Sequence, residues 1–190
     1  MTLNHQISSI SKTVRYQLRN LSHIRKFLTL EATEVMVHSL ISSRLDFCNA
    51  ILINLPEFQI NRPQRLQNSA ARLITCVKRS SHITPTLQAL HWLPVRDRII
   101  CKVLLMIFHS LDGTSPDYIN DLIHVYKPPR QLRSSNNLLL NVPRCLHSWG
   151  DRCFSHAGPS LWNSVPLQLR KADTCSKFKT HLKTYLFRQQ

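Results

Sequence analysis

Apolar residues recur at steps of three or four along most of the chain, and this period predicts amphipathic α-helices. Proline and glycine punctuate the pattern at Leu55-Pro56, Leu93-Pro94 and Asp112-Gly113. Helical spacing covers residues 14–28, 30–53, 57–78, 94–111, 116–123, 152–163 and 174–187. We therefore predict a mainly α protein, a helical bundle with one short extended or β segment near residues 138–146.

Local features refine this outline. The run 94–111 is the most apolar, so it is predicted to be the central buried helix. Within the run 57–78, Pro63 removes one backbone hydrogen bond, and we expect it to kink the helix or to delay its start. Residues 127–137 contain Pro-Pro, Ser-Ser and Asn-Asn pairs and are predicted to form a linker. The tryptophans lie among apolar neighbours, which predicts core positions for Trp92, Trp149 and Trp162.

The charge balance points to a polyanionic partner. Of 190 residues, 25 are Lys or Arg and 10 are Asp or Glu, which gives a formal net charge of +15. This excess favours nucleic acid over a membrane surface. The longest apolar run, residues 103–108, is far shorter than the roughly 20 residues of a membrane span. The 3 glycines stand apart, so a nucleotide-binding glycine loop is excluded.

The 6 cysteines contain no Cys-x-x-Cys pair, and no secretory leader precedes them. They are predicted to be reduced thiols, mostly core filler, in a cytoplasmic or nuclear and not secreted protein. Residues 1–30 have the basic, acid-free composition of a transit peptide, but their helical spacing favours an amphipathic helix of the fold.

One helical face carries the clearest functional pattern. Arg65, Arg72 and Arg79 repeat every seven residues with Asn68 between them, opposite the apolar face of the run 57–78. No acidic residue occurs between positions 61 and 79 to pair with them. Because arginine matches phosphate geometry, these four residues are predicted to contact the phosphate backbone of RNA or DNA. The alternative is an ordinary solvated basic face.

The last predicted helix repeats this design with Lys177, Lys179 and Lys183. We predict a second set of nucleic-acid contacts there. The alternative is that these cations interact with the dipole at a helix C-terminus.

Cys145, His147, Cys153 and His156 place four possible metal ligands within twelve residues. Their spacing lacks the two close pairs of structural zinc sites, so chance clustering is favoured over zinc. No nucleophile elbow and no converging carboxylates occur either. The sequence thus predicts no catalytic residue, no metal, no cofactor and no small-molecule substrate.

Several motifs follow one another in a characteristic order, among them LDFCN at 45–49, QNSAARLI at 67–74, LHWLPV at 90–95, GDRCF at 150–154, GPSLWNSVP at 158–166 and FKTHLK at 178–183. Together they resemble the C-terminal region of non-LTR (LINE) retrotransposon reverse transcriptases of the jockey and chicken-repeat type. The resemblance covers virtually the whole chain. Pro63 departs from it, since the family usually carries an apolar, helix-compatible residue there.

The resemblance implies thumb-like helices at 1–55, a helical post-thumb core at 56–126, the linker at 127–137 and a C-terminal helical segment at 138–190. The family's polymerase centre uses an Asp-Asp turn, and this sequence has no Asp-Asp pair. The resemblance therefore implies a catalytically empty fragment of an RNA-directed DNA polymerase that binds nucleic acid. Two alternatives stay open: a decayed transposable-element open reading frame with no selected function, and a helical protein-interaction module with an apolar groove.

The missing aspartate pair generates a first prediction. The purified chain should extend no primer on an RNA or DNA template with Mg²⁺ or Mn²⁺, because phosphoryl transfer of this kind needs converging carboxylates to hold the metals. A gel-based extension assay measures this. Template-dependent incorporation that persists through repurification would contradict the prediction.

Overall fold

The computed structural model describes residues 3–128, 137–145 and 150–189, and confirms a mainly α protein. The chain forms two compact units, which divide between Arg98 and Ile99. The first contains α1 (Leu3–Ile24), α2 (Leu30–Val37), α3 (Ser43–Asp46), α4 (Glu57–Thr75), α5 (Thr84–Ala89) and the first turn of α6 (Val95–Leu111). The second contains the rest of α6, α7 (Asp117–Asn120), α8 (Phe154–Ser164), α9 (Leu167–Arg170) and α10 (Cys175–Arg188).

The first unit is organised around α4, which packs on α1 and α2. Ala70 and Ala71 of α4 are fully buried, and such small side chains let neighbouring helices approach closely. One apolar cluster joins these elements; its buried members are Val14, Leu21, Val37, Ile41, Leu45, Leu66, Ala70, Ala71, Ile74, Leu87 and Trp92. Residues of the two predicted segments 1–55 and 56–126 therefore share one core, because the apolar faces of their helices cover each other.

The segment 30–53 is helical but is not the single helix that its spacing predicts. Thr29 caps α2, its hydroxyl accepting a hydrogen bond from the Ala32 amide at 3.2 Å. A π-helical turn at His38–Ser42 leads into α3, and a 3-10 turn follows at Asn49–Leu52. Cys48 adopts the left-handed conformation with φ 50°, which ends the α-helical winding there.

Helix α4 winds continuously through Pro63, which is buried. The expectation that regular winding begins only at the proline is therefore wrong. Because Pro63 has no N–H, the Gln59 carbonyl loses its usual donor four residues later. The helix also ends earlier than predicted, at Thr75, because Cys76 turns into the left-handed region with φ 56°.

Polar side chains connect α4 with the start of α6. The Gln67 amide, which is almost completely buried, donates to the Leu93 carbonyl at 2.8 Å, and the Val95 amide donates to Gln64 Oε1 at 2.8 Å. Arg98 forms an ion pair with Asp46 of α3. The Gln67 bond satisfies a polar group that would otherwise be costly to bury.

The second unit has an aromatic core. Phe108 of α6 stacks on Phe178 of α10 with ring centroids 4.6 Å apart, and Trp162 of α8 lies 5.7 Å from Phe178. Val103, Leu104 and Ile107 are buried on the same helix, which confirms the buried position predicted for α6. Trp92 and Trp162 are buried as predicted, whereas Trp149 lies outside the described residues.

The predicted extended segment forms one isolated antiparallel bridge between Val125 and Leu140. The Tyr126 amide donates to the Leu139 carbonyl at 2.9 Å, and the Asn141 amide donates to the His124 carbonyl at 2.8 Å. Asn163 of α8 secures this segment through two hydrogen bonds of 2.9 Å with the Leu140 backbone. Most of the predicted linker, residues 129–136, lies outside the described residues.

The cysteines are not core filler. Cys48, Cys76, Cys145 and Cys153 are exposed, and Cys101 and Cys175 are half-buried. Cys48 and Cys76 occupy left-handed positions at helix ends, and Cys153 is the N-cap of α8, so their backbone roles place the thiols at the surface.

The buried face of α6 generates a stability prediction. Leu104→Ala should lower the free energy of unfolding by about 2–5 kcal/mol, because it removes a fully buried side chain and leaves a cavity. Urea titration followed by circular dichroism measures the change. The control Leu122→Ala removes the same atoms from a side chain that is 44% exposed, and it should cost clearly less. An equal loss of unfolding free energy in the two variants would contradict the burial of Leu104.

Candidate nucleic-acid interface

The end of α1 is fixed to the end of α4 by one arginine. The Arg25 guanidinium donates to the Leu73 carbonyl at 2.9 Å and to the Ile74 carbonyl at 3.0 Å, in the last turn of α4. It also donates to the Leu28 carbonyl at 3.0 Å. Carbonyls at a helix C-terminus lack intrahelical donors, so this guanidinium supplies donors that the helix cannot.

A groove of about 670 Å³ runs along this α1–α4 pair. We call it the basic groove, because its lining combines four arginines with two serines and contains no acidic residue. The polar side chains that line it are Arg15, Arg19 and Ser22 of α1 and Arg62, Arg65 and Ser69 of α4. Leu18, Leu66 and Leu73 form its apolar floor.

Helical periodicity explains why these residues meet. On each helix the polar lining residues follow one another at steps of three or four, so they share one face beside the buried apolar face. Among the described residues, the ion pairs involve none of the four groove arginines. Their positive charge is therefore not neutralised by a neighbouring carboxylate, and the groove suits an anion such as phosphate.

The structure separates the residues that the sequence grouped on one helical face. Arg65 lines the basic groove, whereas Arg72 donates to the Ser81 carbonyl at 3.1 Å. Asn68 accepts a hydrogen bond of 2.8 Å from the Gln64 amide. Arg79 is exposed in the turn beyond α4, because the helix ends at Thr75. The prediction that one helix carries a continuous row of Arg65, Arg72 and Arg79 is therefore wrong.

Sequence reasoning missed Arg15, Arg19 and Arg62 as candidates. The basic, acid-free composition of residues 1–30 was visible, but a single sequence does not say which helix lies against α1. The step of three from Arg62 to Arg65 was also visible. Only the pairing of the two helices turns these separate patterns into one basic lining.

The three lysines lie exposed on α10. Lys177 is the third residue of that helix, and its ammonium lies 3.6 Å from the Asp173 carboxylate. The dipole explanation is therefore wrong for Lys177 and Lys179, which lie in the N-terminal half of the helix. Lys179 and Lys183 remain surface cations.

A second group of side chains converges in the other unit. Ligand atoms of Cys145, Asp151 and His156 lie within 4.8 Å of one another. Partial loss of hydration raises the pKa of the Cys145 thiol, and the Asp151 carboxylate and the Cys153 thiol raise it further. His147, the fourth residue of the sequence motif, lies outside the described residues.

No protein-family model matches the chain, and searches of curated proteins and of solved structures found no match either. No helix among the described residues is long and apolar enough to cross a membrane.

The arginine that joins α1 to α4 generates the next prediction. Arg25→Ala should lower the free energy of unfolding by about 2 kcal/mol, because charged hydrogen bonds to buried carbonyls are lost. Denaturant unfolding measures this cost. Lys26→Ala is the matched control: it removes the neighbouring cation, which is exposed and lies over the Phe27 ring. A loss for Lys26→Ala as large as that for Arg25→Ala would contradict the assignment.

Proposed function

We propose that this chain binds the phosphate backbone of single-stranded RNA or DNA through the basic groove. The observation that carries the proposal is the convergence of Arg15, Arg19, Arg62 and Arg65, without an acidic residue, on one groove. Arginine forks bind phosphate oxygens in pairs, and the release of condensed counterions then drives association.

The geometry of α1 suits an extended strand. Arg15 and Arg19 are one helical turn apart, about 6 Å along the axis, so they can contact different phosphates of one strand. Arg62 and Arg65 reach the same groove from α4. The Ser22 and Ser69 hydroxyls donate to carbonyls of their own helices, at 2.7 Å and 2.9 Å, so the guanidinium groups are the groove's phosphate donors. Contacts of this kind hold the backbone and give little preference for base sequence.

We further propose that the chain derives from the C-terminal region of a LINE-type reverse transcriptase and is catalytically empty. The motif at 67–74 supports this origin in a specific way. Its Gln67, Ala70, Ala71 and Ile74 are four of the buried residues by which α4 packs, so the motif lies in the part of the helix that lines the groove. Arg79 and the lysines of α10 would then be auxiliary contacts.

The rival interpretation of a helical protein-interaction module requires an apolar groove. The groove between α1 and α4 has an apolar floor, but four guanidinium groups line it as well, which favours a polyanion. The other alternative, a decayed open reading frame with no selected function, predicts no measurable nucleic-acid binding at low salt.

The test compares two triple variants that remove equal charge. Arg15→Ala, Arg19→Ala and Arg65→Ala together should flatten the slope of log affinity against log salt by about two, at roughly 0.7 per lost contact on a single strand. All three side chains are exposed on helices, so alanine should preserve the fold. Fluorescence anisotropy with a labelled single-stranded RNA and its DNA equivalent gives the slopes.

The control triple is Lys177→Ala, Lys179→Ala and Lys183→Ala, which removes the same net charge from α10. It should change the slope by less than half as much. Equal changes for both triples would show a merely basic protein and would refute the groove assignment. If the unmodified chain binds neither nucleic acid at low salt, the alternative of a decayed open reading frame with no selected function is favoured.

A further inference from the structure

The Cys145, Asp151 and His156 side chains form a compact group that the nucleic-acid proposal does not use; we call it the Cys-Asp-His cluster. Cys145 follows the extended segment, Asp151 lies on the 3-10 turn Gly150–Arg152, and His156 lies in the first turn of α8. The Cys153 amide donates to the Gly150 carbonyl at 2.9 Å, and the His156 amide donates to the Cys153 carbonyl at 3.0 Å. The turn and the helix therefore hold two of the three ligands on one continuous support.

The imidazole of His156 provides a second, independent observation. Its Nδ1 atom is buried and has no hydrogen-bond partner in the structure. The nearest carboxylate oxygen, Asp151 Oδ1, lies 3.9 Å away, which is too far for a hydrogen bond. One zinc ion can bridge two ligand atoms only if their separation does not exceed the sum of its two bonds, which is roughly 4.2 Å for one Zn–N and one Zn–O bond. The observed separation is shorter than this limit. An ion placed between the two atoms would give His156 Nδ1 the partner that it lacks.

The backbone leaves space for the thiol on the third side. A Cβ atom at Gly150 would lie 2.8 Å from both Cβ and Sγ of Cys145, so the absence of a side chain at Gly150 permits this approach. Tetrahedral zinc holds its sulfur, nitrogen and oxygen ligands about 3.5 Å apart. Because Cys145 is exposed, its side chain can make the shift of about 1 Å that this geometry requires.

We propose that the Cys-Asp-His cluster binds one Zn²⁺ ion through Cys145 Sγ, an Asp151 carboxylate oxygen and His156 Nδ1, with water in the fourth position. A thiolate combined with an imidazole selects a borderline-soft ion, which excludes Mg²⁺ and Ca²⁺ as the preferred occupant. The linear spacing argued against zinc because it lacks close cysteine pairs. Asp151, which the linear motif left out, supplies the ligand that the spacing lacked.

The experiment uses the full chain, stripped of metal with a chelator and titrated with Zn²⁺ against a chromophoric competitor. We expect one tight equivalent. Replacement by Co²⁺ should produce thiolate-to-cobalt charge-transfer absorption and the visible bands of a four-coordinate ion. Cys145→Ser should weaken zinc binding more than about a hundredfold and abolish the charge-transfer band. Loss of a metal ligand weakens binding more than loss of a residue that only supports a ligand.

Two further variants test whether zinc binds at the Cys-Asp-His cluster or at any exposed cysteine. Cys48→Ser removes an exposed cysteine of the first unit and should leave the stoichiometry and the cobalt spectrum unchanged. Gly150→Ala removes no ligand but places a Cβ against the thiol, so it should weaken binding about tenfold. Circular dichroism verifies that each variant keeps its helices. Retained tight binding in Cys145→Ser, equal loss in Cys48→Ser, or a cobalt complex without the charge-transfer band would overturn the proposal.

Discussion

The packing of α1 against α4 is the constraint on which the first unit depends. Burial of Val14, Leu21, Ala70 and Ile74 holds the two helices together, and the Arg25 guanidinium closes their common end by donating to carbonyls of α4. This contact forces positive side chains of both helices to the same groove. The like charges remain exposed to solvent and are screened there, so apolar burial outweighs their mutual repulsion. The basic groove is thus a consequence of how the core is closed.

Helix α4 also shows that tertiary packing overrides a local preference. A proline within a helix costs roughly 3 kcal/mol, and the sequence placed one at position 63. The helix nevertheless begins at Glu57, because Ile60, Pro63 and Leu66 are all buried and their burial repays the missing hydrogen bond. Without this first stretch, Arg62 would have no helical position on the groove.

The second unit separates its core from its polar chemistry. Phe108, Trp162 and Phe178 fill the interior, while the turn before α8 carries the exposed Asp151 and the first turn of α8 carries the half-buried His156. Asn163 links α8 to the extended segment that leads towards Cys145. Backbone hydrogen bonds and one missing Cβ therefore decide where the cluster forms, and the neighbouring side chains decide which ligand atoms face one another.

The sequence by itself determined the mainly helical fold and the burial of α6, because both follow from the spacing of apolar residues along short stretches of the chain. The excess of positive charge was also readable, although the predicted row through Arg72 and Arg79 assumed a longer helix than the one that ends at Thr75. Tertiary structure alone decided that Arg15 and Arg19 face Arg62 and Arg65, that α4 winds through Pro63, and that Asp151 joins Cys145 and His156. Periodicity along a helix shows which residues share a face, but it does not say which other face lies opposite. That choice depends on the burial of apolar surface from distant parts of the chain, which no local pattern records.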